Sequence, residues 1–210
     1  MKTRVLPIDS FTSLREALRI IESGGLVAFP TDTVYGLGAN LHSSTAIDRI
    51  YQAKGRDTEK AIPVLVNHIN QLDQVALEVP ANAQKLAKRF WPGGLTLIIP
   101  RLASLPENLS SGPTVAVRMP DYTPVLTVLQ HCGPLAVTSA NLSGKSNTLT
   151  AEDVLQQLDG RIDLILDGGR VPGGIPSTIV DCSVEPPVIL RHGAISDDEI
   201  FSALGQDASS

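Results

Sequence analysis

Short aliphatic runs alternate with helical stripes along almost the whole chain, and this alternation restricts the fold to the α/β class. Leu14, Ala17, Leu18 and Ile21 recur at helical spacing, with Ser13 and Glu16 in capping-box positions and Gly24-Gly25 as the stop. LVAF at 26–29, closed by Pro30, predicts a short buried strand. Residues 44–54 predict a helix with Ala46, Ile47, Ile50 and Tyr51 on one face, which sets Lys54 at its C-terminal end. Further strands are expected at 62–66, 95–99, 114–117, 135–138, 164–167, 177–181 and 188–191. Further helices are expected at about 82–90, 124–131 and 151–158, and a last one from Ser196-Asp197 that frays into a polar tail at 205–210. The connections from LTLII to TVAV and from STIVD to VILR leave no room for a crossover helix, so the sheet is expected to be mixed rather than all parallel. With no internal repeat or linker, the expectation is one compact domain over residues 1–210.

Bulk properties narrow the function. Aromatic residues make up only 4% against 42% hydrophobic, so aliphatic side chains must fill the core. A net charge of -5 counts against a dedicated nucleic-acid binder, while leaving room for a local basic groove. Cys132 and Cys182 stand far apart with no CxxC and no clustered His, which suggests neither a disulfide scaffold nor a zinc site. They read as core thiols of a reducing compartment. MKTRVLPIDS holds no signal-peptide run, and no window reaches the length of a membrane span. The expected location is cytoplasmic, away from membranes.

No P-loop, GxGxxG, GxSxG or HExxH motif is present. What stands out is PTDTVYGLGAN at 30–40 followed by AKGR at 53–56. Gly36 and Gly38 permit unusual torsions or close approach of a ligand, Thr31, Thr33 and Tyr35 supply hydroxyls, and Lys54, Arg56 and Lys60 supply positive charge. The segment suits a small anionic ligand; it also suits a tight turn and a basic helix end that complements the macrodipole. Four more strand-end loops carry similar chemistry. Thr114 and Arg118 lie four apart on one strand face, as a carboxylate clamp or as one half of a surface ion pair. Thr138, Ser139, Asn141 and Ser143 in VTSANLSG suit a phosphate-binding turn, or an ordinary Asn/Ser/Gly turn. Ser177 and Thr178 follow a Gly-rich lead, and Arg191 ends the last predicted strand beside His192.

Taken in order, PTDTVYGLGAN, the KxR of Lys54-Gly55-Arg56, FWPGGLTLI, VRMP, the SxN of Ser139-Ala140-Asn141 and PSTIVD resemble the YrdC-like family over about residues 10–200. Within that family the chain resembles the short L-threonylcarbamoyladenylate synthases. The resemblance implies a single YrdC-like domain: an open twisted mixed sheet flanked by helices, with a concave, partly basic face. It implies that L-threonine, bicarbonate and ATP are converted to threonylcarbamoyl-AMP and pyrophosphate, for the threonylcarbamoyladenosine modification of tRNA by a separate transferase. Arg56, Lys60, Thr114, Ser139, Asn141, Thr148 and Arg191 fall on the ATP side. Thr33, Arg118, Thr138 and Ser177 fall on the threonine side, and Lys54 serves either ligand.

No protein nucleophile or general base is evident in this set, so catalysis is expected from positioning and electrostatics. Lys54 and Arg56 would act on the transferring groups, and Mg²⁺ would bridge phosphates without a protein metal site. Two departures from the family pattern stand out. Leu65 occupies the place where many members carry a His, with His68 three residues on. The chain also stops near residue 210, where longer members continue into a second domain. Two other readings are a relative of the same fold acting on another carbamoyl-adenylate, and a non-catalytic module that binds tRNA or double-stranded RNA.

Overall fold

The computed structural model describes residues 2–173 and 175–205. Along the chain these form β1 (Arg4–Pro7), α1 (Phe11–Glu22), β2 (Val27–Pro30), β3 (Tyr35–Asn40), α2 (Ser44–Lys54), β4 (Val64–Leu65), α3 (Ala81–Phe90), β5 (Leu95–Pro100) and β6 (Thr114–Arg118). Then follow α4 (Thr123–Cys132), β7 (Leu135–Ser139), α5 (Ala151–Leu158), β8 (Leu164–Asp167), β9 (Thr178–Asp181), β10 (Val188–Arg191) and α6 (Asp197–Leu204). Short 3-10 turns stand at Ile69–Gln74 and Glu107–Leu109. The strands make one sheet in the order β1-β8-β2-β3-β7-β4-β6-β5-β9-β10. Its pairings are mixed, as expected: β5 runs antiparallel to β6 and parallel to β9, and β9–β10 is an antiparallel pair. Of the polar tail expected at 205–210, only Gly205, which caps α6, lies within the described residues.

The two faces of the sheet are covered unequally, and this places the site. Leu37 and Ala39 of β3, Leu95, Leu97 and Ile99 of β5 and Val115 and Val117 of β6 point into a large apolar cluster. Buried residues of α2, α3, α5 and α6 close it: Ile47, Ile50, Leu86, Val154 and Ile200 among them. The opposite face is covered by α1 and α4 over only part of its width, where Ala17, Ile20, Val125 and Leu129 pack on Val27, Phe29, Leu135 and Val137. Directly paired residues share a face. The registers Thr96↔Arg118, Ile98↔Ala116 and Thr96↔Ile179 therefore continue that face across β6, β5 and β9. There Thr114, Ala116, Arg118, Ile98 and Ile179 stay half-buried, beyond the cluster that α1 and α4 cover.

Several elements depart from the sequence reading for local reasons. The expected cap at Ser13 is instead a buried residue inside α1, and Ser10 takes the N-cap position. The strand expected at 62–66 is reduced to β4, since Pro63 has no N–H to give and serves as acceptor for Val137 N. The larger difference is β3, a buried strand inside the segment read as a ligand loop. Gly36 and Gly38 have a packing role there: a Cβ on Gly38 would lie 2.7 Å from Phe29 Cε1, and one on Gly36 2.9 Å from Val137 Cγ1. Their missing side chains let the Phe29 ring lie against β3. β1, four residues with mostly exposed side chains, carries too little apolar pattern to be read from sequence.

Cys182 is buried and Cys132 half-buried, and burial pushes both thiols up to about 12. Among the described residues no helix is long and apolar enough to cross a membrane.

Candidate functional site

The bare part of the face meets the turn between β2 and β3 at Arg118. This guanidinium is fixed at three points. Nη2 donates to Asp32 Oδ2 at 2.6 Å, Nη1 to Thr33 Oγ1 at 3.3 Å and Nε to the Gly93 carbonyl at 3.0 Å. Gly93 N in turn donates to Met119 O, so the WPGG segment and the end of β6 brace each other. The pair is nearly dry, with side-chain exposures of 11% for Arg118 and 16% for Asp32. Burial pulls the guanidinium below its ordinary value, and the Asp32 charge opposes this. Thr31 shapes the turn from within: its hydroxyl donates to Val34 O and accepts from Thr33 N.

A second hydroxyl–guanidinium set adjoins the first through the Thr96↔Arg118 register. The Thr96 and Ser177 hydroxyls lie 2.7 Å apart, and Arg191 donates to both the Ser177 hydroxyl and its carbonyl at 3.0 Å. Burial lowers Arg191 and the Arg118 charge lowers it further, so the two guanidiniums feel each other. Thr33, Arg118 and Ser177, expected on the threonine side, thus lie beside Arg191, expected on the ATP side, whereas Thr138 pairs with Leu37 and faces the opposite side of the sheet.

The basic arm is less fixed. Arg56 is half-exposed and reaches forward along the chain to Ala61 O at 3.0 Å and Lys60 O at 3.4 Å, while Lys60 itself is exposed. Thr114, at the other end of β6, is half-buried on the bare face.

Lys54 stands at the C-terminal end of α2, as expected, but its side chain is turned inward. It is only 2% exposed, and Nζ donates to the Ser139 and Asn141 carbonyls, each at 2.5 Å. Burial, with the neighbouring charge of Arg56, holds its pKa down to about 8. Lys54 O also accepts from Ser143 N, so the end of α2 grips the 139–143 loop twice. The reason is chain geometry: β7 ends directly above the last turn of α2, where backbone carbonyls would otherwise be buried without donors.

Other expected contacts are also turned inward. The Asn141 amide donates to Leu142 O and Lys145 O, and Thr148, fully buried, donates to Ala140 O. These hydroxyl and amide groups shape the loop from inside. Thr138 pairs with Leu37 and Ser139 with Gly36, so they stand on opposite faces of β7, Ser139 on the bare one. The Tyr35 hydroxyl binds Gly169 O at 2.7 Å and anchors the loop after β8. Leu65 shares a face with Arg118 through their register, whereas the exposed His68 caps the following 3-10 turn. His192, also exposed, lies 2.8 Å from Asp197. Asp32 and Thr96 belong to the site although sequence reasoning did not single them out. The Asp in PTDT was the available signal for the first; nothing flagged Thr96, whose hydroxyl matters only once β5 lies beside β9.

Comparison with known proteins adds to this geometry. The family model for Sua5, YciO and YrdC, described as telomere recombination, matches residues 19–193. The chain belongs to the Sua5/YciO/YrdC family. It is 42% identical to a threonylcarbamoyl-AMP synthase of Pyrococcus abyssi over 92% of its length, and 43% identical to one of Bacillus subtilis over 91%. It spans only 57% and 56% of those two relatives. The crystal structure of P. abyssi Sua5 complexed with L-threonine matches at a TM-score of 0.90 and 39% identity, covering 98% of this chain and 61% of that one. E. coli YciO matches at 0.81 and 25% identity, covering 95% of this chain and 98% of that one. The Sua5/YciO/YrdC fold, a single mixed sheet flanked by helices, is therefore this chain's fold.

Proposed function

We propose that this chain is an L-threonylcarbamoyladenylate synthase, joining L-threonine, bicarbonate and ATP into threonylcarbamoyl-AMP with release of pyrophosphate. The observation that carries the reading is the Arg118 corner: a guanidinium held at three points beside the Thr33 and Ser177 hydroxyls, in a fold whose relative was crystallised with L-threonine. Arg118 recognises the amino-acid carboxylate, and Thr33 and Ser177 line the same corner. Arg56, Lys60, Thr114, Ser139 and Arg191 supply the nucleotide side. Lys54, Asn141 and Thr148 hold the 139–148 loop in place for it, and Thr138 stands on that loop's strand.

Catalysis then comes from alignment and from positive charge facing the leaving pyrophosphate. Among the described residues no cluster of three or more His, Cys, Asp or Glu could hold a metal ion. A magnesium ion carried in with ATP would neutralise charge on the departing group. The product is a reactive mixed anhydride, suited to hand-over to a separate tRNA-modifying transferase. The purified chain with threonine, bicarbonate, Mg²⁺ and ATP should release pyrophosphate only when threonine is present. It should also form a threonylcarbamoyl-AMP adduct visible by mass spectrometry. Unmodified tRNA alone should gain no threonylcarbamoyl group until the transferase is added. Pyrophosphate release that ignores threonine would overturn the reading.

A further inference from the structure

Asp32 is the charged group at the Arg118 corner to which the reading above gives no ligand. Its Oδ2 accepts from Arg118, while Oδ1 is buried and has no hydrogen-bond partner among the described residues. A carboxylate offers about four lone-pair positions, and here a single donor occupies one of them. Leaving the rest empty in a dry place is unfavourable unless a donor arrives. Arg118 is unsaturated in the same way: of about five guanidinium N–H groups, those reaching Gly93, Thr33 and Asp32 are engaged and the others have no partner among the described residues. The corner therefore holds an acceptor and donors with unused hydrogen-bonding capacity on two side chains that already touch. That is the complement of a zwitterion, not of a simple carboxylic acid.

We propose that Asp32 is a specificity-determining residue: it accepts the hydrogen bond of the substrate's α-ammonium group while Arg118 takes the α-carboxylate. This rests on the amino-acid-dependent reading above. Calorimetry with two compounds tests it, L-threonine and (R)-3-hydroxybutyrate, which keeps the carboxylate, hydroxyl and methyl groups but lacks the amine. The wild-type chain should prefer threonine by roughly 10- to 100-fold, the worth of one charge-assisted hydrogen bond. Asp32→Asn, with a melting temperature confirming the fold, should bind the two compounds within about threefold of each other, chiefly by losing threonine affinity. An Asp32→Asn chain that still discriminates like wild type, or that binds threonine more tightly because a competing carboxylate has gone, overturns the assignment alone. So does a wild-type chain that binds both compounds equally, whatever the variant does. A wild-type chain that binds neither overturns the functional reading, and the assignment with it.

Discussion

The two basic regions of the site are built in opposite ways. At the Arg118 corner the cation is 11% exposed, paired with a carboxylate and tied to two distant segments, at 32–33 and at Gly93. On the arm after α2, Arg56 is half-exposed and bonds only carbonyls four and five residues further on. A buried, cross-linked guanidinium is costly to build and cannot wander, which suits recognition of a small rigid amino acid. A surface guanidinium on a short loop keeps its rotamers until a ligand arrives, which suits a longer, more flexible polyphosphate. If the two regions bind amino acid and nucleotide as proposed, position in the fold separates the two roles more clearly than residue type does.

If that contrast holds, the largest effect should come from Arg118→Ala. It strips the partner from a buried Asp32, so stability should fall by about 3–5 kcal/mol in chemical denaturation, together with loss of threonine binding. Arg118→Lys keeps a charge but not the fork, and should weaken threonine binding with a smaller stability loss. Unchanged threonine affinity in calorimetry would remove Arg118 from the site. Arg56→Ala should show the reverse pattern, with turnover down roughly 100- to 1,000-fold and the melting temperature nearly unchanged. A large loss of stability with normal turnover would make Arg56 a structural cap and erase the contrast.

Lys54 sharpens the comparison, because it is a cation of the arm buried like one of the corner. Its folded pKa of about 8 lies below the ordinary 10.5. Between these values the unfolded chain binds more protons, so stability gains as pH rises through that window and levels off below about 8. Wild type should therefore gain on Lys54→Met between about pH 8 and pH 10 in denaturation curves. A constant difference would place the amine in solvent. The smallest effect should be that of Gly38→Ala, whose new Cβ presses on the Phe29 ring: a loss of about 1–3 kcal/mol in stability, with threonine affinity retained.

Much of this was legible in the sequence because the signals were local. The α2 stripe, the LILD and VILR strands and the short β5–β6 and β9–β10 connections carry their periodicity and turn lengths within a few residues. The ordered motifs also grouped Thr33, Arg118 and Ser177, which adjoin in the fold, but they included Thr138, which faces the other side of the sheet. What stayed hidden depends on distant pairing. Asp32 and Arg118 are 86 residues apart, and Thr96 and Ser177 81 apart, so neither bond has a sequence signature. The burial of Lys54 has no local signal, because a charged residue at a helix end is normally solvated. Only the carbonyls of β7, which lies beside α2 in space, explain its burial. β3 was masked by its own glycines, which lower strand propensity while serving the packing of Phe29.

The two cysteines have a practical consequence. With both thiols pushed up to about 12, the thiolate fraction at neutral pH is on the order of one in 100,000. Thiolates are the nucleophiles that attack alkylating dyes and spin labels, so the native chain should remain dark to them while folded. A single cysteine placed in the exposed loop around Lys60 would then report on that loop alone, with neither native thiol needing to be removed.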